Sequence, residues 1–398
     1  MELAKLFKFA ASKNGSDIFI SAGAPVHIKI EGEIQPVNSQ ILDAEVVKRA
    51  IYGLMTPDQI QQFESTQEAN FAISIPDAGR FRVNVFRQRS SVAMVARYIK
   101  DTIPTLDSLG LPPVLRQLAL EKRGLILVVG ATGSGKSTTL ASMIDHRNSQ
   151  QNGHILAIED PIEYVHQHKK SLVNQREIGI DTASYANALV NALREAPDVL
   201  LIGEIRDTDT MRQALTFTQS GHLCLATLHA NNAYHAMNRI VNFFPLDERE
   251  NLLMDLAITL KAAVSQRLVM GKHGLRVAAI EVMLNTLNVS DLIRKGEIVK
   301  IKEAIDQNLD AGCQSFEQSL LQLYLAGKIG REEALQSADS RTDLAWLIDN
   351  AAQGKPVRPK AAPGEITPEH EMPATSDLDG FTVSPDMLSM LGKNANKR

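Results

Sequence analysis

Apolar positions along the first hundred residues switch between two periods. Leu3, Leu6, Phe7 and Ala10 recur at helical spacing, which predicts a helix over 1–13. Asp17–Ser21 and residues 26–30, 80–86 and 92–99 read as strands. Residues 26–30 and 81–85 alternate apolar with polar, so each has one buried face, and Gly32 and Gly79 mark turns. Residues 1–100 are therefore expected to form a small α+β unit. Pro104, Pro112 and Pro113 punctuate residues 101–115, which read as a boundary and linker.

The pattern changes at Gly124. Short, continuously apolar runs at 125–129, 154–158, 198–202 and Leu223–Leu228 alternate with helical stretches. Strands apolar on both sides, separated by helices, predict a parallel α/β sheet covered on both faces. Residues 247–350 are expected to be mainly helical, completing a unit over 116–350. Residues 351–398 hold six of the sixteen prolines and almost no apolar periodicity, so a disordered tail is expected. Within it, Ser384-Pro385-Asp386 could cap one short helix presenting Met387, Leu388 and Leu391.

Composition narrows the function. Apolar residues at 44% and charged residues at 22% fit a soluble globular chain of 398 residues. A net charge of −4 and a pI near 6.2 argue against a general nucleic-acid binder, so no nucleic acid is expected as partner. Two cysteines, Cys224 and Cys313, make neither a disulfide framework nor a zinc spacing. Glu2, Lys5 and Lys8 interrupt the apolar run that a signal peptide requires, and the run at 125–129 is too short to span a bilayer. A cytoplasmic protein is expected.

One motif carries chemistry directly. Gly130-Ala131-Thr132-Gly133-Ser134-Gly135-Lys136-Ser137-Thr138 matches a P-loop at every fixed position, between an apolar strand and a helix. Its glycines let backbone N–H groups face phosphate oxygens, and the helix that follows presents its positive end to the same anion. Lys136 is expected to neutralise phosphate charge of a bound nucleotide and Ser137 to ligate Mg²⁺. Two acidic clusters follow strand ends, where ligands of open parallel sheets sit. They are Glu159-Asp160-Pro161-Ile162-Glu163, and Glu204 after a Walker-B-like strand. Either cluster alone is read as solvated; together, downstream of a P-loop, they suit a metal contact and a water-orienting base.

His222 and His229 flank Leu223–Leu228 at an odd spacing, so in one strand their rings face opposite ways. A single metal site from that strand does not fit; phosphate sensing, domain coupling and a structural imidazole stay open. Arg80, Arg82, Arg87, Arg89 and Arg97 fit either a solvated sheet face or, in an oligomer, arginines that complete a neighbour's site. Periodicity alone does not separate the two.

Taken in order, the P-loop, the acidic box Ile158-Glu-Asp-Pro-Ile-Glu-Tyr164, the stretch Ala196-Pro-Asp-Val-Leu-Leu-Ile-Gly-Glu-Ile-Arg206 and the histidine box Thr227-Leu-His229 resemble the secretion and pilus-assembly ATPases. The P-loop alone indicates a nucleotide, and ATP follows from the resemblance to ATPases that the motifs carry together. The resemblance covers residues 1–350 and is to the PilT/PilU family of type IV pilus retraction ATPases, on the PilU side. It implies a PAS-like α+β N-terminal domain, a RecA-like P-loop ATPase domain with a helical C-terminal part, and a ring of six subunits at the cytoplasmic face of the inner membrane. It implies Glu163 as catalytic glutamate, Glu204 as the Walker-B carboxylate and a metal ligand beside Ser137, and His222 and His229 as histidine-box residues. Arg82 and Arg97 match the N-domain arginines that reach a neighbour's nucleotide. Implied partners are a PilT-type ATPase and an inner-membrane platform protein. In one place the chain departs. PilT proteins carry Ala-Ile-Arg-x-Leu-Ile-Arg-Glu, whereas Asn288-Val-Ser-Asp-Leu-Ile-Arg-Lys-Gly-Glu297 keeps only the Leu-Ile-Arg half. Two other readings compete: a RecA-like nucleic-acid translocase, and a nucleotide-binding scaffold without turnover.

Overall fold

A computed structural model describes residues 3–30, 32–307 and 312–353 of the chain. The proposed cap and apolar face at Ser384–Leu391 lie outside the described residues.

Six strands, β1 (Asp17–Ser21), β2 (His27–Ile30), β3 (Glu33–Pro36), β4 (Glu68–Ile75), β5 (Gly79–Gln88) and β6 (Ser91–Ile99), form an antiparallel sheet of order β3-β2-β1-β6-β5-β4. Helices α1 (Leu3–Ser12), α2 (Ala44–Tyr52) and α3 (Pro57–Thr66) cover one face. Leu3, Phe7 and Ala10 of α1, Val47 and Ile51 of α2 and Phe63 of α3 meet Ile18, Ile20, Phe81, Val83 and Val85 in one core. The alternation expected over 81–85 is the inward half of β5. Its outward half carries Arg80, Arg82 and Asn84. Asp17 is the register partner of Arg97, and Arg97 that of Arg82, so a carboxylate and two guanidiniums lie side by side on three strands. Like charges directly opposite each other repel across a sheet unless paired.

The second sheet contains β7 (Gly124–Val129), β8 (Gly153–Glu159), β9 (Ser171–Glu177), β10 (Val199–Ile202), β11 (Leu223–Leu228), β12 (Leu260–Met270) and β13 (Arg276–Leu284), in the order β13-β12-β7-β11-β10-β8-β9. Neighbours are parallel except β12 with β13. Every residue of β7 is buried. Leu125, Leu127 and Val129 enter the core on one face, Ile126 and Val128 the core on the other. This is why the run shows no alternation.

Helices α4 (Val114–Ala119), α5 (Lys136–Gln150), α6 (Tyr185–Ala192), α7 (Thr208–Gln219), α8 (Ala233–Phe243), α9 (Arg249–Thr259), α10 (Leu287–Arg294) and α11 (Ile301–Gln307) surround the sheet, and α12 (Phe316–Leu325), α13 (Arg331–Ser337) and α14 (Arg341–Ala352) pack as a helical unit against β12 and β13. In the proline-bearing connection, Leu106, Leu111 and Leu115 are buried on the α5 side.

Residues 247–350 are mainly helical but not throughout, because β12 and β13 form a twenty-residue antiparallel pair within them, eleven residues in one strand and nine in the other. Lys261-Ala-Ala-Val-Ser-Gln-Arg reads locally as helix, but pairing with β7 supplies the ladder and burial, and tertiary context overrides local preference.

The two sheets are joined at Lys100, just past β6. Lys100 forms a parallel bridge with Tyr164, and Val165 donates its N–H to Lys100 O at 3.1 Å.

Candidate active site

The C-terminal ends of β7, β8, β10 and β11 open into a cleft of about 1190 Å³ beneath the N-terminal sheet. The loop between β7 and α5 forms its floor. Gly135 caps α5 at φ 90°, a left-handed conformation that favours glycine, and a Cβ there would lie 2.7 Å from Gln266 Nε2 and push that amide aside. Gln266, buried on β12, accepts a 2.7 Å hydrogen bond from the buried Thr139 hydroxyl and so pins the first turn of α5. Ser134 Oγ is buried without a hydrogen-bond partner. A loop that leaves such groups facing inward suits an oxyanion ligand.

Lys136 is buried. Its ammonium donates to the carbonyls of Gly130 and Ala131, both at 3.0 Å, and lies 3.4 Å from His229 Nδ1. Burial lowers its pKa below the ordinary lysine value, and Glu204 counters this in part. Two carbonyls compensate a buried ammonium poorly, whereas phosphate would compensate it well.

Glu204 stands just past β10. Its Oε1 is 3.1 Å from His229 Nε2, and its Oε2 accepts from Arg206 Nε at 2.8 Å. Arg206 also reaches Asp160 Oδ2 at 3.3 Å. A neutral His229 protonated on Nε2 satisfies both neighbours, accepting from Lys136 and donating to Glu204. A polar chain thus runs Lys136–His229–Glu204–Arg206–Asp160 across four strand ends. Ser137 is exposed in the same cleft, and Thr138 Oγ1 is 3.0 Å from the Tyr164 hydroxyl.

Glu163 is exposed where the cleft meets the N-terminal sheet. It also lines a second hollow of about 340 Å³ together with Arg82, Arg97 and Asp17. Arg97 lines both spaces. Its hydrogen bond to Asp17 holds its pKa above the ordinary value, with Glu163 contributing further. Arg82 and Arg80 lie 3.9 Å and 4.0 Å from the buried Glu177 carboxylate. Within this chain, therefore, Arg82 faces Glu177 rather than the P-loop.

His222 is not part of the cleft. It lies at the other end of β11, its Nδ1 3.0 Å from Ser220 Oγ and its ring 4.8 Å from Phe217. The sequence marks Glu159 only as part of the acidic box, and marks neither His166 in the cleft nor Gln266 beside it. Glu159, whose carboxyl burial pushes up to about 7, accepts from Gln175 Nε2 at 2.9 Å. His166 is buried, pushed down to about 4 by desolvation, with Nδ1 unpartnered. Gln266 comes from a strand read as helix. Only the acidic box itself pointed towards Glu159; nothing local marked the others.

A phosphate-binding loop, a buried lysine and a carboxylate–histidine pair at the strand ends of a mostly parallel sheet define a P-loop ATPase. The model for type II/IV secretion system proteins matches residues 2–322. The type IV pilus ATPase PilU of Pseudomonas aeruginosa is 50% identical over 349 residues, covering 87% of this chain and 91% of that protein. The retraction ATPase PilT of the same organism is 40% identical over 338 residues, covering 85% and 98%. The crystal structure of the pilus retraction motor PilT with bound ADP matches at a TM-score of 0.82 and 39% identity, covering 87% of this chain and 99% of that one. The chain belongs to the type II/IV secretion system protein family, among its type IV pilus ATPases of the PilT and PilU kind.

Proposed function

We propose that this ATPase is a hexameric helper motor of a type IV pilus machine, hydrolysing ATP with Mg²⁺ and supporting retraction driven by a PilT-type ring. Lys136 and the loop amides hold the phosphates, Glu163 orients the attacking water, and His229 sets Glu204. Arg82 and Arg97 act on a neighbouring subunit's nucleotide.

The site suits a hard cation brought in with the nucleotide. Ser137 and Glu204 offer oxygen donors in the cleft, while among the described residues no three His, Cys, Asp or Glu side chains gather to hold a metal alone. When bound, Mg²⁺ neutralises phosphate charge; Ser137 and Glu204 are the residues that would hold it. No described helix is long and apolar enough to cross a membrane. A cytoplasmic protein recruited to an inner-membrane platform protein accords with this.

One observation carries the helper reading. The segment that departs from the PilT pattern is α10, and none of its residues lines the nucleotide cleft. Asp291, where the first half of the motif ends, pairs with Lys295 at 2.6 Å and with Arg294 on the surface of the helix. Its change spares hydrolysis and weakens coupling to the pilus machine. The test is a strain without the PilT-type gene that expresses this chain. Purified protein is expected to release phosphate from ATP while that strain does not twitch. Full twitching there would make the chain a complete retraction motor.

A further inference from the structure

The segment after His229 is held from the far side of the molecule. Three consecutive residues of β12 act in opposite directions, as strand alternation requires. Gln266 points to α5 and pins Thr139 beside the P-loop. Ser265 and Arg267 point the other way. Ser265 Oγ donates to Glu281 Oε1 at 2.8 Å, and the same oxygen accepts the N–H of Ala233 at 2.7 Å. Arg267 Nη2 donates to the carbonyl of Asn231 at 3.2 Å, and its Nη1 donates to the carbonyl of Ser337 at 2.7 Å. Its guanidinium pairs with Asp339 and lies 3.9 Å from the centre of the Phe316 ring. Asp339 in turn accepts from Asn232 Nδ2 at 2.8 Å. Asn232 caps α8. Ser340, next to Asp339, caps α14 and donates its N–H to Glu317 at 2.8 Å.

We propose that Arg267 and Asp339 are positioning residues for ATP hydrolysis. Together they clamp residues 231 and 232, fix where His229 stands against Glu204, and tie the helical unit α12–α14 to the nucleotide site. The proposal rests on the ATPase reading above. The guanidinium suits the task. It is planar, reaches two carbonyls and a carboxylate at once, and is braced on an aromatic face; lysine offers one point charge and cannot make this fork. Because Arg267 neighbours Gln266, displacement of the helical unit pulls on the histidine loop and the P-loop through one strand.

The experiment is a double-mutant cycle on the full-length protein, with turnover, KM and nucleotide affinity measured for each variant. Arg267→Lys and Asp339→Asn are each expected to lower kcat about ten- to hundredfold through misplacement, with KM and affinity for a fluorescent ATP analogue within about twofold. In a His229→Ala background the further loss from Arg267→Lys is expected to shrink below about twofold, since both changes remove the same placement. A loss retained in full on that background would overturn the proposal, as would unchanged kcat in a folded Asp339→Asn protein. A His229→Ala protein with wild-type turnover would fail earlier, removing the site reading underneath it.

Discussion

Arg97 donates from Nε to Asp17 Oδ1 across 2.7 Å, and the two are direct partners on neighbouring strands. The Arg97 side chain is nonetheless 67% exposed, against 7% for Asp17. The guanidinium therefore has a free face towards water for a second anion, while the buried carboxylate is also held by Ser16 Oγ at 2.8 Å. If that anion is a neighbour's nucleotide, Arg97→Ala rings should be inactive and should complement Lys136→Ala subunits. At equal mixing, roughly a quarter of heterologous interfaces combine an intact loop with an intact arginine and regain activity. Mixed rings that stay dead would place Arg97 in its own subunit's site.

Removing the charge of Glu204 while keeping its shape tests the polar chain. Glu204→Gln is expected to bind ATP normally and to lose about 10²-fold or more in turnover. Glu163→Gln should behave the same way. Phosphate release at the wild-type rate from either variant would mark that carboxylate as structural.

Lys136→Ala is expected to abolish turnover, and ATP should no longer raise the melting temperature, because binding to the native state alone is what stabilises. A preserved thermal shift would show that the phosphates are held without the lysine.

Gln266→Ala leaves the fully buried Thr139 hydroxyl without its acceptor. The expected cost is about 1–3 kcal/mol of stability, read by denaturant titration. Weaker nucleotide binding should accompany it, since the first turn of α5 loses its anchor.

Burial pushes Glu281 up to about 7. The folded state then holds this proton more tightly than the unfolded chain, so its contribution is fully present below the unfolded pKa and is lost as pH rises through about 7. Glu281→Gln keeps an oxygen for Ala233 and Ser265 and has nothing to ionise. It should flatten the decline in melting temperature between roughly pH 4.5 and 7, and above that range should stabilise by a few kcal/mol at most. An identical pH profile in the variant would show that Glu281 ionises freely in the fold.

What could be read from the chain was what is local. The P-loop is one contiguous string, and β7, β8, β10 and β11 are apolar runs that a sheet covered on both faces buries. Glu204 and Glu163 can be placed at the cleft from sequence because strand ends are where such sheets bind ligands. β12 was missed because its helix-compatible residues become a strand only by pairing with β7, more than a hundred residues earlier. Gln266 and Arg267 were lost with it. The arginines stayed ambiguous for another reason. Their spacing gives the face of the sheet, while Glu177, which meets Arg80 and Arg82, comes from the other sheet entirely.

The bridge between Lys100 and Tyr164 ties the N-terminal sheet to the nucleotide cleft beside the P-loop. Tyr164 touches Thr138 of the P-loop on one side and follows Glu163 on the other. Strands lie about 4.8 Å apart, so β3, three strands from β6, is roughly 14 Å away from that end of the sheet. A lever of that length turns a tilt of about 10° at the bridge into ~2.5 Å at the rim. The attachment point sits beside the P-loop and the far rim is three strands away, so any tilt about the bridge is smallest at the nucleotide site and largest at the outer edge of the N-terminal sheet.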